Sequence, residues 1–222
     1  MTAVLDALAA QVGRTGALLE QLSDEQWRAP TRCEPLTVLE LAAHMLRGAD
    51  RAKGMLAAGP QDGEAEKDAA TYFGYDPGDV GGGVVRRAQN DAAGRTGPEL
   101  AKDWTVHWAS AIEAARAVLT RDDILVASIF GRMRLTGYLK TRVVEVTIHT
   151  MDVEDALGRD PNPDPAALTV TADVLRLILG TDMRASGTDD VRFVLVGSGR
   201  APLDATERAA LGPLADRFPL LA

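Results

Sequence analysis

The sequence is poor in cysteine, in aromatic residues and in positive charge, and it has no long apolar run. Cys33 is the only cysteine, so no disulfide can form within the chain, and a reducing cytoplasm is the expected compartment. No apolar stretch approaches the roughly 20 residues that would span a bilayer. The N-terminal segment lacks the basic flank of a signal peptide. We therefore expect a cytoplasmic protein that does not bind membranes.

The charge balance excludes another class of partner. The chain carries 24 basic and 32 acidic side chains, a net charge of −8, and a protein of this sign repels phosphate backbones. We therefore expect no nucleic-acid partner.

Aromatic residues make up only 5% of the 222 positions, although 46% are hydrophobic, so alanine, leucine and valine must fill most of the core. The length suits one main domain with at most a small appendage.

Apolar residues recur at helical spacing along most of the chain. The pair Thr37 and Glu40 has the spacing of a capping box, which predicts the start of a helix. Residues 60–83 are rich in Gly, Asp and Glu and are predicted to be mostly loop, and an extended or hairpin segment is predicted around Gly131. The predicted helices span residues 2–22, 37–58, 84–95, 98–120 and 138–157. The fold class is therefore mainly α, with a four-helix core within residues 1–158.

A small extension follows this core. The segment DPNPDP, residues 160–165, has the composition of a linker. Beyond it we predict a helix at about 166–181, one strand with the sequence VRFVLVG at 191–197, and a short helix at about 204–217. These residues are too few for a second full domain, so 166–222 is predicted to be a small α/β extension.

The segment RVVEVTIHTMD, residues 142–152, admits two interpretations. Its Val, Thr and Ile residues favour a strand with alternating faces. However, the pattern continues through MDVEDAL to Gly158, where a helix end is expected, and about twenty residues is too long for a common strand. We therefore predict a helix over 138–157, which places Glu145 and His149 one turn apart on the same face.

This predicted helix has two polar stripes that lie between two apolar sides. One stripe contains Lys140, Thr147 and Glu154, and the other contains Arg142, Glu145, His149 and Asp152. In a four-helix packing only one stripe can face bulk water, and we expect it to be the first. The second stripe would point inward, where unpaired polar groups are costly unless they bind one another or a metal. Glu145 and His149 are therefore candidate metal ligands.

The two other histidines differ in their surroundings. His44 lies at the border of the apolar stripe of the 37–58 helix, where its side chain can reach a neighbouring helix. His107 lies beside Trp104 and Trp108 and is predicted to be a packed structural residue. A catalytic zinc site usually needs three protein ligands and an open position, so one of these histidines could complete the set.

Two segments carry a resemblance to a known family. They are W-x-A-P-T-x-C-E-P-L-T-V-x-E-L-A-A-H (27–44) and Y-L-x-x-R-V-V-E-x-x-x-H-T-M-D (138–152), and they resemble the mycothiol-dependent maleylpyruvate isomerase family. This family belongs to the DinB-like superfamily of metal-binding four-helix bundles. The resemblance covers the organisation of about residues 1–158. It implies a DinB-like bundle, zinc or another divalent metal, and mycothiol as a co-substrate.

The resemblance also implies site residues. The metal triad of the family falls on His44, Glu145 and His149. The family's arginine on the third helix, which helps to bind the thiol or an anionic substrate, falls on Arg87, with Arg86 as the alternative. A guanidinium there could grip a carboxylate with two hydrogen bonds. The same Arg-Arg pair could instead be a solvated helix face.

The chain departs from the family pattern in two places, and two residues keep open roles. Leu36 stands where many relatives have Trp, and the short tail leaves a tail contribution to substrate binding unsupported. Asp152 could be a second acceptor behind His149 and so take part in catalysis, or it could be a surface charge. Cys33 could be a free loop thiol, a fourth metal ligand or an oxidation-sensitive thiol.

Three functions fit these features. The favoured one is a metal-dependent transferase or isomerase that adds an activated low-molecular-weight thiol to a small electrophilic substrate. A hydrolase that uses zinc-activated water on the same triad is the alternative, and turnover without thiol would distinguish it. A non-catalytic bundle that binds a ligand or a partner protein is the third, and metal coordination by Cys33 would favour it. A monomer or homodimer is expected in each case.

Overall fold

The computed structural model describes residues 2–75, 77–180 and 189–221, without the side chains of residues 77, 79 and 80. Its helices, in chain order, are α1 (Ala3–Leu19), α2 (Asp24–Trp27), α3 (Val38–Ala57), α4 (Pro77–Ala92), α5 (Gly97–Leu119), α6 (Leu135–Ala156), α7 (Pro165–Leu179), α8 (Asp190–Gly197) and α9 (Ala205–Leu211). Short 3-10 turns lie at Thr71–Phe73 and Gly212–Arg217. Within these described ranges, no helix is both long and apolar enough to cross a membrane. The mainly α fold class is confirmed.

Four long helices form the bundle. Helix α1 packs against α5 and α6, and α3 packs against the same two helices from the other side. Their shared core contains Leu5, Leu41, Trp104, Trp108 and Val143, each at most 1% exposed. Helix α4 lies against α3. The predicted hairpin is confirmed as β1 (Leu125–Ser128) and β2 (Gly131–Arg134), an antiparallel pair that packs near the start of α6.

The helix starts follow the capping residues of the sequence. Thr37 and Glu40 form the predicted capping box: the Thr37 backbone N–H donates to Glu40 Oε2 at 2.7 Å, and the Glu40 backbone N–H donates to Thr37 Oγ1 at 3.4 Å. Thr96 and Glu99 form a second box in front of α5. Each box satisfies backbone donors that a helix leaves unpaired at its first turn. The first of these boxes fixes the start of α3, the helix that carries His44.

The predicted loop over residues 60–83 is too long by several residues, because α4 already begins at Pro77 and includes Gly81, Gly82 and Gly83. Glycine has a low helix propensity, which is why the sequence favoured a loop here. Packing of α4 on α3 offsets that preference: Ala88 and Ala92 of α4 are buried. Tertiary contacts therefore decide the structure of this segment.

The predicted strand at 191–197 is wrong, because this segment is helix α8. Asp189 caps the helix by accepting a hydrogen bond from the Arg192 backbone N–H at 2.9 Å. Phe193 and Val194 are buried in a cluster with Leu175 of α7. The extension is thus helical in its described residues and not α/β. Helix α7 ends at Leu179, and the predicted helix end at position 181 lies outside the described residues.

The prediction that the stripe of Lys140, Thr147 and Glu154 on α6 faces solvent is also wrong. Thr147 is 0% exposed and Glu154 is 6% exposed, although the Lys140 stripe was expected to face water. Helices α1 and α7 both pack on α6, so the helix is enclosed on most sides. Thr15 of α1 hydrogen-bonds to Thr150 of α6 at 2.7 Å between their hydroxyl oxygens. The helix reaches water over only a small part of its surface.

Gly97, the first residue of α5, provides a test of the packing. A Cβ at this position would lie 2.1 Å from Nε1 of Trp27, whose side chain is buried. We expect Gly97→Ala to lower the free energy of unfolding by about 3 kcal/mol, because backbone and indole must both shift. At Gly13 of α1 an added Cβ would meet nothing within 4 Å. Gly13→Ala is therefore expected to raise stability by about 0.5–1 kcal/mol.

Urea unfolding of the two glycine variants and the parent checks this prediction. Similar midpoints for Gly97→Ala and the parent would show that α5 can move away from Trp27 at no cost.

Candidate metal centre

Three potential ligands from α3 and α6 converge in the structure. His44 Nε2 lies 3.4 Å from Glu145 Oε2, and His149 Nε2 lies 3.7 Å from the same oxygen. The two imidazole rings meet edge to face, with centroids 5.3 Å apart. One donor atom from each residue lies within 4.8 Å of the other two. The predicted helix over 142–152 makes this possible, because it puts Glu145 and His149 on consecutive turns facing α3.

The protonation states of two of these residues suit a metal. Burial lowers the pKa of His44, and this effect outweighs its hydrogen bond with Glu145, so the imidazole is neutral. Burial would raise the pKa of Glu145, but the hydrogen bond from His44 and the charges of Arg142 and His149 hold that pKa well below its usual range. Glu145 therefore remains a carboxylate, the form in which it can ligate.

Asp152 lies behind the third ligand. Its Oδ2 accepts a hydrogen bond from His149 Nδ1 at 2.9 Å, and its side chain is 0% exposed. Burial would lower the pKa of His149, but the hydrogen bonds with Asp152 and Cys33 raise it to about 10. Complete burial contradicts the surface-charge interpretation of Asp152. A bond at Nδ1 leaves Nε2 as the ring atom that faces Glu145.

Cys33 lies on the Nδ1 side of His149. Its thiol donates to Asp152 Oδ2 at 3.2 Å, and Sγ lies 3.8 Å from His149 Nδ1. Cys33, His149 and Asp152 thus form a second group that could hold an ion and that shares His149 with the first. The sequence placed Cys33 in a loop before α3, but it gave no sign that this loop reaches His149.

Comparison with known proteins identifies the family. The model of the mycothiol maleylpyruvate isomerase N-terminal domain matches residues 8–154, which is more than half of the chain. The chain belongs to this family. No curated protein and no solved structure matches the chain. The matched segment of this family member contains α3 and nearly all of α6, and with them both candidate ion-binding groups, but it ends before α7.

The mycothiol maleylpyruvate isomerase N-terminal family is metal-binding and mycothiol-related. The group formed by His44, Glu145 and His149 fits a divalent ion by its donor chemistry, since two imidazole nitrogens and one carboxylate oxygen form a common ligand set for a zinc site with open positions. The same set accepts other divalent ions. The structure therefore contains candidate metal-binding residues that agree with the family.

Arg142 lies beside the group formed by His44, Glu145 and His149. Its Nη2 lies 4.0 Å from Glu145 Oε1 and donates a hydrogen bond to Tyr72 Oη at 3.2 Å. The guanidinium also lies over the rings of Tyr72 and Tyr138, 5.5 and 5.0 Å from their centroids. The sequence assigned Arg142 to the inward stripe but gave it no role. Burial, and then the charge of Glu145, raise the pKa of Tyr75 to about 12, so this neighbouring hydroxyl keeps its proton.

The arginines implied by the family resemblance lie on α4. Arg86 is exposed and Arg87 is half-buried, with its guanidinium near Gly83. Within the described residues, neither side chain forms a hydrogen bond or an ion pair. Their role in binding the thiol or the substrate stays a prediction. His107 pairs with Asp50, 2.8 Å from Nδ1 to Oδ1, and belongs to neither candidate ion-binding group of the described residues.

Proposed function

We propose that this chain is a divalent-metal-dependent enzyme that activates a low-molecular-weight thiol and adds it to a small electrophilic substrate. The convergence of His44, Glu145 and His149 on one point between α3 and α6 is the observation that carries the proposal. Membership of the family makes mycothiol the expected thiol and zinc an expected metal. The sequence motifs and the side-chain geometry nominate the same three residues.

The protein groups around the proposed ligands have distinct tasks. A divalent ion in this site would supply the positive charge that keeps a coordinated thiol deprotonated. His44 contributes a neutral imidazole, and Glu145 contributes a carboxylate whose other oxygen faces Arg142 at 4.0 Å. Asp152 holds His149 at Nδ1 so that Nε2 is directed to the site. Arg87, or Arg86 in its place, is proposed to bind an anionic group of the thiol or substrate.

The proposed reaction needs no oxidant or reductant, because the thiol acts only as a nucleophile. The thiol gives up its proton to solvent, and its sulfur forms a bond to the electrophilic carbon. The displaced electron pair moves onto the acceptor group of the substrate, which takes a proton from solvent. In a transfer to an electrophile with a leaving group, such as 1-chloro-2,4-dinitrobenzene, the displaced electron pair returns to the carbon skeleton and expels that group as an anion, here chloride, while the new carbon–sulfur bond persists. In an isomerisation the adduct rotates about the carbon–carbon single bond and returns the acceptor's proton to solvent. The double bond then re-forms as the carbon–sulfur bond breaks, and the released thiolate takes a proton to regenerate the thiol.

Turnover with defined thiols tests the proposal. We expect zinc-loaded protein to convert maleylpyruvate or 1-chloro-2,4-dinitrobenzene when mycothiol is present, and Glu145→Gln to lose at least about a hundredfold in rate because the ligand charge is gone. Omission of the thiol should abolish turnover.

Two results would replace this function with its alternatives. Hydrolysis of esters or amides without any thiol, lost in Glu145→Gln, would indicate a hydrolase with metal-activated water. Metal binding without turnover of either electrophile, with mycothiol or with cysteine, would favour a non-catalytic ligand-binding bundle.

A further inference from the structure

We infer that Arg200, in the extension after α8, is a positioning residue for the metal centre: it fixes Asp152, which in turn fixes the direction of His149 Nε2. The inference rests on the proposed function, because it concerns one of the three proposed ligands. Arg200 lies outside the segment that matches the family, residues 8–154. It is 48 residues away from Asp152 in the sequence.

Arg200 and Asp152 form a bidentate salt bridge that is largely buried. Arg200 Nε donates to Asp152 Oδ1 at 3.0 Å, and Arg200 Nη2 donates to Oδ2 at 2.7 Å. The side chain of Asp152 is 0% exposed and that of Arg200 is 18% exposed. Paired bonds of this kind fix the orientation of a carboxylate as well as its position. Asp152 Oδ2 also accepts the hydrogen bond from His149 Nδ1. The orientation of the carboxylate therefore sets the orientation of the imidazole ring.

The guanidinium of Arg200 is itself held in place. Its Nη1 donates to the carbonyl oxygen of Ser198 at 2.6 Å, and the backbone N–H of Arg200 donates to the carbonyl of Leu195 at 2.7 Å. The backbone N–H of Leu220 closes the same turn on the Gly197 carbonyl at 2.7 Å. The extension therefore presents Arg200 from a hydrogen-bonded turn.

A second arginine connects this turn to the loop before α3. Arg32 Nη1 donates to the carbonyl oxygen of Arg200 at 2.8 Å, and Arg32 Nε lies 3.8 Å from Asp152 Oδ1. Because the side chain of Arg32 is 35% exposed and its closer carboxylate is Asp155 at 3.1 Å, Arg32 is a weaker partner for Asp152. Without Arg200, the buried carboxylate would keep Arg32 as its remaining arginine.

The positive charge of Arg200 also favours cation binding at one of the two candidate ion-binding groups over the other. Its Nη2 lies 3.9 Å from Cys33 Sγ and 2.7 Å from Asp152 Oδ2, so its positive charge lies beside two donors of the Cys33–His149–Asp152 group. A cation there would be repelled by the guanidinium and would compete with it for the carboxylate. On the His44 side of His149, the cation that the described residues place beside the donors is Arg142, whose Nη2 lies 4.0 Å from Glu145 Oε1 and so beyond hydrogen-bond distance. Arg200 therefore favours metal binding at Nε2 over binding at Nδ1.

Metal titration of the full chain tests the inference. Co²⁺ and Zn²⁺ affinities would be measured by competition with a chelator, together with the visible absorption of the Co²⁺ form, for the parent, Arg200→Met and Arg200→Lys. Arg208→Met serves as the matched control, because Arg208 is exposed on α9 in the same extension. We expect Arg200→Met to bind both ions about 10–100-fold more weakly with an altered Co²⁺ spectrum. Arg200→Lys should be intermediate, and Arg208→Met should equal the parent.

The outcomes separate the inference from the proposed function. Unchanged affinity and spectrum in Arg200→Met overturn the inference even if its metal-free form is less stable, because Arg200 would then be a structural residue only. If Arg200→Met does not fold, Arg200→Lys decides in the same way. If the parent binds neither ion, the proposed function fails and the inference fails with it.

Discussion

His149→Ala is expected to weaken Zn²⁺ binding by more than about a hundredfold, since loss of a residue behind a metal ligand already costs roughly 10–100-fold. His149 Nε2 lies 3.7 Å from Glu145 Oε2, and His44 Nε2 lies on the other side of that oxygen at 3.4 Å. Removing the imidazole leaves one nitrogen and one carboxylate. Two ligands cannot form the three-ligand site that a catalytic zinc requires.

His107→Ala is the matched control for this prediction. It removes an imidazole from a helix of the same bundle, at a position that is paired with Asp50 and that belongs to neither candidate ion-binding group of the described residues. Competition titrations with a chromophoric chelator measure both affinities, and circular dichroism confirms that both variants fold. Equal zinc affinity in the two alanine variants would remove His149 from the ligand set.

Asp152→Ala is expected to lower the free energy of unfolding by about 3 kcal/mol, because it leaves buried cationic groups without their carboxylate. The carboxylate is 0% exposed and is bonded to His149 Nδ1 at 2.9 Å and to Arg200 Nη2 at 2.7 Å. Asp155→Ala is the control on the same helix. Asp155 has a 52% exposed side chain that pairs with Arg32, and exposed pairs contribute about 1 kcal/mol or less.

The loss in Asp152→Ala should depend on pH. Burial raises the pKa of Asp152, but the hydrogen bonds from His149 and Arg200 outweigh it and hold the pKa below its ordinary value. A carboxyl with a lowered pKa in the folded state stabilises the fold fully above its unfolded pKa of about 3.9, and loses this effect as the pH falls below it. Urea unfolding should therefore show a smaller difference between parent and variant at pH 3 than at pH 7. A constant difference across this range would contradict the charged pair.

Local sequence signals predicted the parts of the site that lie on single helices. Gly158 and the length of the element identified α6 as a helix in spite of its β-branched residues, and the spacing of four between Glu145 and His149 placed both on one face. The capping box at Thr37 predicted the start of α3. His44 needed the family resemblance, because helical spacing alone left it at the border of an apolar stripe.

Long-range packing decided what the sequence did not reveal. The apolar and β-branched residues at 191–197 fit a strand as well as a helix, and the cap from Asp189 with burial of Phe193 settled the helix. Thr147 is polar yet fully buried, because α1 and α7 enclose α6. Arg200 lies in a turn with no periodic pattern, so no local signal connected it to Asp152.

X-ray absorption spectroscopy of the zinc-loaded chain, purified without chelator and with its metal content measured, tests the central claim most directly. The predicted result is about one zinc per chain with a first shell of nitrogen and oxygen at about 2.0–2.2 Å, including two imidazoles, as His44, Glu145 and His149 would give. A sulfur neighbour at about 2.3 Å would contradict this ligand set and place the ion with Cys33, His149 and Asp152 instead. A chain that binds no zinc even after incubation with the ion would contradict the metal centre itself.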